Sequence, residues 1–244
     1  MKKGLLAVAA LFAAVSSNAQ GSWTNTVGDA EKDAVVYTGG TVKTDLIPGL
    51  TITLAGATDW AAKGVDAESF TGADGVEYSK SYIQGNTNGM ANGLEHSSGQ
   101  SSHIQIVADK AGTVYVAAKF GNNKPIWAAK VATSEIEDLD DSDMSAYLYT
   151  YEGKYIKDDG TYGGDEAATD AVYSALPLEV ETGYTYFFWV SGSKLMLSGI
   201  NFVEGASAVA GIAEAKAEAA APVKVITANG IQIGKFNIAG QQVK

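Results

Sequence analysis

The chain of 244 residues has no cysteine and no arginine. Without cysteine there is no disulfide framework, no thiolate metal site and no thiol nucleophile. Without arginine, all 17 basic residues are lysines, set against 28 acidic residues for a net charge of −11. That balance excludes the bidentate guanidinium clamp for phosphate or carboxylate and argues against nucleic acid as a partner, because a phosphate backbone demands positive charge. Histidine is nearly absent too. His96 and His103 form neither H-x-x-x-H nor H-E-x-x-H spacing, and zinc normally takes three or four protein ligands. No G-x-S-x-G elbow marks a serine nucleophile, so no catalytic residue is assigned. Beyond the first residues no uninterrupted apolar run is long enough for a transmembrane helix.

What is present is a chain of 46% hydrophobic residues, too apolar to stay unfolded, with 28 glycines and 12 tyrosines. From residue 21 to 205 it is rich in Thr, Val, Tyr and Gly, and strand-like runs recur between Gly, Asn and Asp clusters. The expected strands are Ala34–Tyr37, Leu50–Leu54, Tyr78–Gln84, Ser102–Val107, Gly112–Phe120, Ile126–Val131, Tyr147–Tyr151, Leu178–Val180, Tyr184–Val190 and Lys194–Val203. The clearest alternation is in Thr113–Ala118 and Tyr184–Val190, and a bulge is expected at Gly199. Many short strands without crossover helices predict an all-β fold, an antiparallel β-sandwich of jelly-roll type, not a βαβ fold.

The two ends differ from this middle. Met1–Gln20 carries Lys2 and Lys3, a short apolar stretch and the small-x-small pattern Ser17-Asn18-Ala19, which predicts a signal peptide cut after Ala19 or close by. Residues 206–221 are dominated by alanine, with Glu214, Lys216 and Glu218 keeping the segment wet, and read as a tether. Residues 222–244 hold short alternating runs, with Asn229-Gly230 as a hairpin-turn signal.

This last stretch, PVKVITANGIQIGKFNIAGQQVK, resembles the C-terminal sorting signals of type IX secretion cargo; the matching residues are Asn237, Gly240, Val243 and Lys244. The resemblance implies passage across an outer membrane through the secretion machinery, then release or surface attachment. The phrases IPGLTITL, AGTVYVAAKFGNNKPIWAAKV and ETGYTYFFWVSGSKLMLSGINFVEG resemble secreted jelly-roll β-sandwich domains similar to carbohydrate-binding modules. That likeness implies the fold more firmly than an activity.

Several groups of residues are candidates for chemistry. The acidic run Glu135, Glu137, Asp138, Asp140, Asp141, Asp143 offers the hard oxygens that calcium prefers. It is not an EF-hand, because Ala146 stands where that loop requires glycine and a strand is expected next. A looser calcium site at Asp138, Asp140, Asp141 and Asp143 is the alternative to a solvated acidic loop. The Asn/Gly loop from Gln84 to Gly93 brings Asn86, Asn88 and Asn92, whose amides both donate and accept, close to Tyr82. This group suits sugar hydroxyls, or else the asparagines only serve turns. The stretch Lys157–Glu166 is turn chemistry first, with Tyr162 as a candidate ligand contact. Trp127 and Trp189 read as core. Trp60 lies in a turn-rich stretch and is the tryptophan expected to offer an exposed ring to a sugar.

These features predict an exported, non-catalytic protein that binds a polysaccharide or other glycan. Two alternatives stand beside it: an adhesive surface protein with a protein partner, and a small polysaccharide-degrading enzyme. The carboxylate pair needed for the latter is defined by spatial separation, which spacing in sequence leaves open.

Overall fold

The computed structural model describes residues 18–24, 32–42, 47–64, 66–88, 101–121, 123–139, 144–205, 224–227, 230–233 and 236–237. In chain order the strands are β1 Asn18–Thr24, β2 Val35–Thr38, β3 Thr41–Val42, β4 Leu50–Ala55, β5 Asp59–Gly64, β6 Ser69–Thr71, β7 Glu77–Ser79, β8 Tyr82–Gly85, β9 His103–Ala108, β10 Gly112–Phe120 and β11 Ile126–Ala132. They continue as β12 Tyr155–Ile156, β13 Tyr162–Gly164, β14 Val172–Val180, β15 Tyr184–Val190, β16 Met196–Glu204, β17 Lys224–Thr227, β18 Gly230–Ile233 and β19 Phe236–Asn237. Among the described residues two 3-10 helices, Thr133–Asp138 and Ser145–Tyr147, interrupt them. Among the described residues no helix is long and apolar enough to cross a membrane.

The fold is an antiparallel β-sandwich, as the alternation predicts. The larger sheet runs β14-β10-β16-β8-β5-β2, and the smaller runs β11-β15-β9-β4-β3. The far edge of β16 is divided: β8 pairs with Met196 and Leu197, and β1 pairs with Gly199–Glu204. From β8 onward, successive long strands alternate between the sheets (β8, β10, β14 and β16 in the larger; β9, β11 and β15 in the smaller), which is a jelly-roll winding.

The period-2 geometry of a strand sorts each side chain to one face. On β10, Val114, Val116, Ala118 and Phe120 enter the interface between the sheets; on β15, Tyr186, Phe188 and Val190 meet them. Burying a side chain such as Phe188 contributes about 1.5–3 kcal/mol, so this interior holds the sandwich together. The opposite faces are not bare. Phe187 and Trp189 form a second cluster with Ala129, Val131 and Met144, against which Ile136 and Leu139 of the first 3-10 segment pack. On the larger sheet, Ala117 and Ala175 are capped by Tyr78, Phe70 and Val76 from the β6–β7 hairpin.

Four expectations are corrected. Tyr147–Tyr151 is not a strand: it opens with a 3-10 turn, touches β11 through the single bridge Leu148–Ala129, and places Tyr151 at φ 58. Tyr78–Gln84 is two strands broken at Lys80-Ser81. Leu178–Val180 is the end of a nine-residue edge strand that tolerates Pro177 because β14 pairs on one side only. The expected bulge falls at Ser198, beside Gly199, where β16 slips against Ala117 and Ala118.

The chain divides into two compact units, Met1–Ser207 and Ala208–Lys244. In the second, β17 and β18 pair antiparallel and β19 adds to β18, making three strands rather than a hairpin. Thr227 pairs with Gly230, so this glycine belongs to the strand rather than to the turn. Asn237 lies in β19; Gly240, Val243 and Lys244 lie outside the described residues.

Candidate functional site

A row of partly exposed side chains crosses the outer face of the larger sheet. The register sets Tyr173 on β14 opposite Lys119 on β10, Lys119 opposite Met196 on β16, and Met196 opposite Gln84 on β8. All four point away from the interior, because their neighbours Val172, Ala118, Leu197 and Ile83 face it. Three inter-strand gaps make the row about 14 Å across. Tyr82 stands diagonally beside it on the same face. The Lys119 ammonium lies 5.4 Å from the Tyr173 ring centroid and 5.8 Å from that of Tyr82. Lys80 lies 5.9 Å from the Tyr173 ring centroid and Phe70 meets Tyr173 at 5.3 Å, so the β6–β7 hairpin walls one flank.

Several strands build this ledge because the residues between them are small. Gly64 is paired with Tyr82, and a Cβ there would lie 2.0 Å from a ring carbon. The bare glycine therefore lets the Tyr82 ring lie over β5. Partial burial raises the Tyr82 hydroxyl above the ordinary tyrosine range and that of Tyr173 to about 12, so both are neutral donors and acceptors at physiological pH. Among the described residues Lys119 pairs with no carboxylate, and the Gln84 amide has no hydrogen-bond partner. The ledge thus offers two aromatic faces, a cation, an amide and a thioether.

The other residues expected to bind ligand do not gather there. Trp60 is wholly buried in the sandwich interior, which removes its ring from any sugar. It faces inward because Asp59–Gly64 is a strand and not a turn. Asn86 is exposed but committed: its Oδ1 accepts from the Thr58 backbone N–H at 3.1 Å and its Nδ2 donates to the Thr58 hydroxyl at 2.6 Å. Thr87 is tied in the same way to the Gly56 carbonyl. Asn88 is exposed, and Asn92 and His96 lie outside the described residues. Tyr162 lines a separate groove of about 360 Å³ with Thr150, Thr161 and Ser174, and its ring meets Tyr151 edge-on at 4.4 Å. Burial raises its hydroxyl to about 12. The preceding loop is a turn, as read: Gly160 at φ 80 donates to the Lys157 carbonyl and Asp159 accepts from Thr161.

The acidic run is likewise anchored by its apolar members. Ile136 and Leu139 pack against the smaller sheet while Glu135, Glu137 and Asp138 face solvent. Asp140, Asp141 and Asp143 lie outside the described residues, and among those described no three acidic or histidine side chains converge on a metal position. His103 is buried and occupied: Nδ1 is 2.6 Å from the Ser101 carbonyl, Nε2 is 3.1 Å from the Gln105 amide nitrogen, and the ring stacks on Phe187.

Sequence reasoning reached Tyr82 but missed Lys119, Tyr173, Met196 and Gln84 as a group, since only the strand register brings them together. The fold and this face define an all-β sandwich with a polar–aromatic sheet surface. Compared with protein-family models and with curated proteins, the chain matches none.

Proposed function

We propose that this protein is an exported, non-catalytic β-sandwich that binds carbohydrate through the outer face of its larger sheet. The observation that carries the reading is the Tyr173–Lys119–Met196–Gln84 row with Tyr82 beside it. Tyrosine rings pack against the C–H faces of a sugar, while the Gln84 amide and the tyrosine hydroxyls exchange hydrogen bonds with its hydroxyls. A sheet holds these groups at fixed spacing, so little ordering cost opposes binding.

The test is a saccharide screen by calorimetry with the full chain, repeated with Tyr82→Ala and Tyr173→Ala. Each substitution is expected to weaken binding about fivefold to tenfold, the value of one aromatic contact. Absence of binding to every saccharide, or affinities indifferent to both substitutions, overturns the reading. The ledge contains no metal ligand set, so binding is expected to persist in a chelator.

The export half of the proposal rests on Met1–Gln20 and on the tail residues Asn237, Gly240, Val243 and Lys244. Cleavage after Ala19 leaves Gln20–Thr24, most of β1, for pairing with β16. N-terminal sequencing of protein recovered outside the cell should begin at Gln20 or next to it. Recovery with Met1 intact would remove this half.

A further inference from the structure

We infer that the saccharide taken by this ledge is acidic, carrying a carboxylate or sulfate that the Lys119 ammonium receives. The inference rests on the carbohydrate-binding reading above and adds the chemical class of the ligand. Five ion pairs join described residues: Lys63–Asp33, Lys80–Glu68, Lys110–Glu204, Lys130–Glu181 and Lys154–Asp165. Lys119 is in none of them. It is half-buried at the centre of the row, held between two tyrosine rings at 5.4 and 5.8 Å. Ring faces steady a cation without neutralising it. An ammonium placed in this way among groups able to grip a sugar is a position for an anion.

The acidic groups nearby are already engaged. Glu68 pairs with Lys80 at 2.5 Å, and an Asp66 Oδ1 accepts the Glu68 backbone N–H at 2.8 Å. Both carboxylates act on Tyr173 at that end of the row, but neither comes within ion-pairing distance of Lys119, whose charge has no carboxylate partner among the described residues. The net charge of −11 does not cancel this attraction. Charges farther off than about 8 Å are largely screened at physiological ionic strength, whereas a direct contact is not. A charge-assisted hydrogen bond is also about twice as strong as a neutral one, so an anionic sugar gains at Lys119 what a neutral sugar does not.

The experiment is affinity electrophoresis and calorimetry of the full chain with two matched pairs of polymers: polygalacturonate and its carboxyl-reduced form, and dextran sulfate and dextran. At least one acidic member is expected to bind about tenfold more tightly than its neutral partner, and the pair that responds separates carboxylate from sulfate. Lys119→Met keeps the apolar stem and removes the charge; it should abolish the preference, and Lys119→Arg should retain it. A circular dichroism spectrum and melting curve matching the parent will show that Lys119→Met is folded. Equal binding of acidic and neutral members, or a preference that survives Lys119→Met, overturns this inference while leaving the carbohydrate reading in place. If neither these polymers nor the wider saccharide screen gives binding, both fall.

Discussion

Trp127 and Trp189 stand directly opposite each other on β11 and β15, ring centroids 6.5 Å apart and 11° from parallel. They lie on the outer face of the smaller sheet, away from the sandwich interior. Trp189 is fully buried because the segment carrying Ile136, Leu139 and Met144 folds over it. Residues 133–139 are thus a cover for a second core, with Glu135, Glu137 and Asp138 outward and Ile136 and Leu139 inward.

Trp189→Ala should therefore cost about 3–5 kcal/mol of stability, the range for removing a buried tryptophan from a packed site. Urea unfolding measures this directly. The stacked indoles should also contribute a near-UV circular dichroism signal that disappears in the variant. A loss below about 1 kcal/mol would mean that Ile136, Leu139 and Met144 do not pack on the sheet.

Asn86→Ala separates a turn residue from a ligand contact. Its two hydrogen bonds to Thr58 fasten the loop after β8 to the loop before β5. At about 0.5–1.5 kcal/mol each, less at an exposed site, their loss should lower stability by about 1 kcal/mol. Saccharide affinity should not change. Weakened binding at unchanged stability would return Asn86 to the binding surface.

Buried and half-buried tyrosines lower stability at alkaline pH. Burial holds the Tyr162 and Tyr173 hydroxyls neutral up to about 12 and raises those of Tyr78, Tyr151 and Tyr186 as well. In the unfolded chain a tyrosine ionises near 10. Below about pH 10 both states keep these protons, and stability is indifferent to the groups. Between about 10 and 12 the unfolded chain releases protons that the folded chain retains, so stability falls as pH rises. Urea midpoints should stay level from pH 7 to 9 and drop above 10, with Tyr173→Phe reducing the slope. A flat profile through pH 11 would contradict the burial of these rings.

How far the sequence discloses this molecule depends on side-chain type. Gly112–Phe120 and Tyr184–Val190 are strands with the limits expected, because β-branched and aromatic residues alternate through them. β5 escapes notice: apart from Trp60, Asp59-Trp60-Ala61-Ala62-Lys63-Gly64 is built from small and polar residues with little strand preference, and its misreading misplaces Trp60. Tyr147–Tyr151 fails the other way: its strand-forming residues meet the edge of β11 only at an isolated antiparallel bridge before the chain turns through Tyr151 at positive φ. The binding face is the least legible. Lys119 and Tyr173 meet through a register between β10 and β14, set by residues on the opposite side of the sheet.

Gly64 gives the sharpest test of that face, because it shapes the ledge without contacting a ligand. A methyl group at residue 64 would collide with the Tyr82 ring, the closest approach being 2.0 Å. The backbone there does not require positive φ, so alanine meets no conformational strain. Tyr82 is partly exposed, and its ring can swing outward to make room. Gly64→Ala should therefore fold, with stability changed by about 1 kcal/mol or less, since surface substitutions of this kind cost little. It should weaken saccharide binding as much as Tyr82→Ala does, because the displaced ring no longer lies beside Lys119. The double variant Gly64→Ala/Tyr82→Ala should then bind no more weakly than Tyr82→Ala alone, the non-additivity expected when two changes remove one contact. Calorimetry on the three variants decides it. Full affinity in Gly64→Ala would show that the position of the Tyr82 ring over β5 is irrelevant to binding.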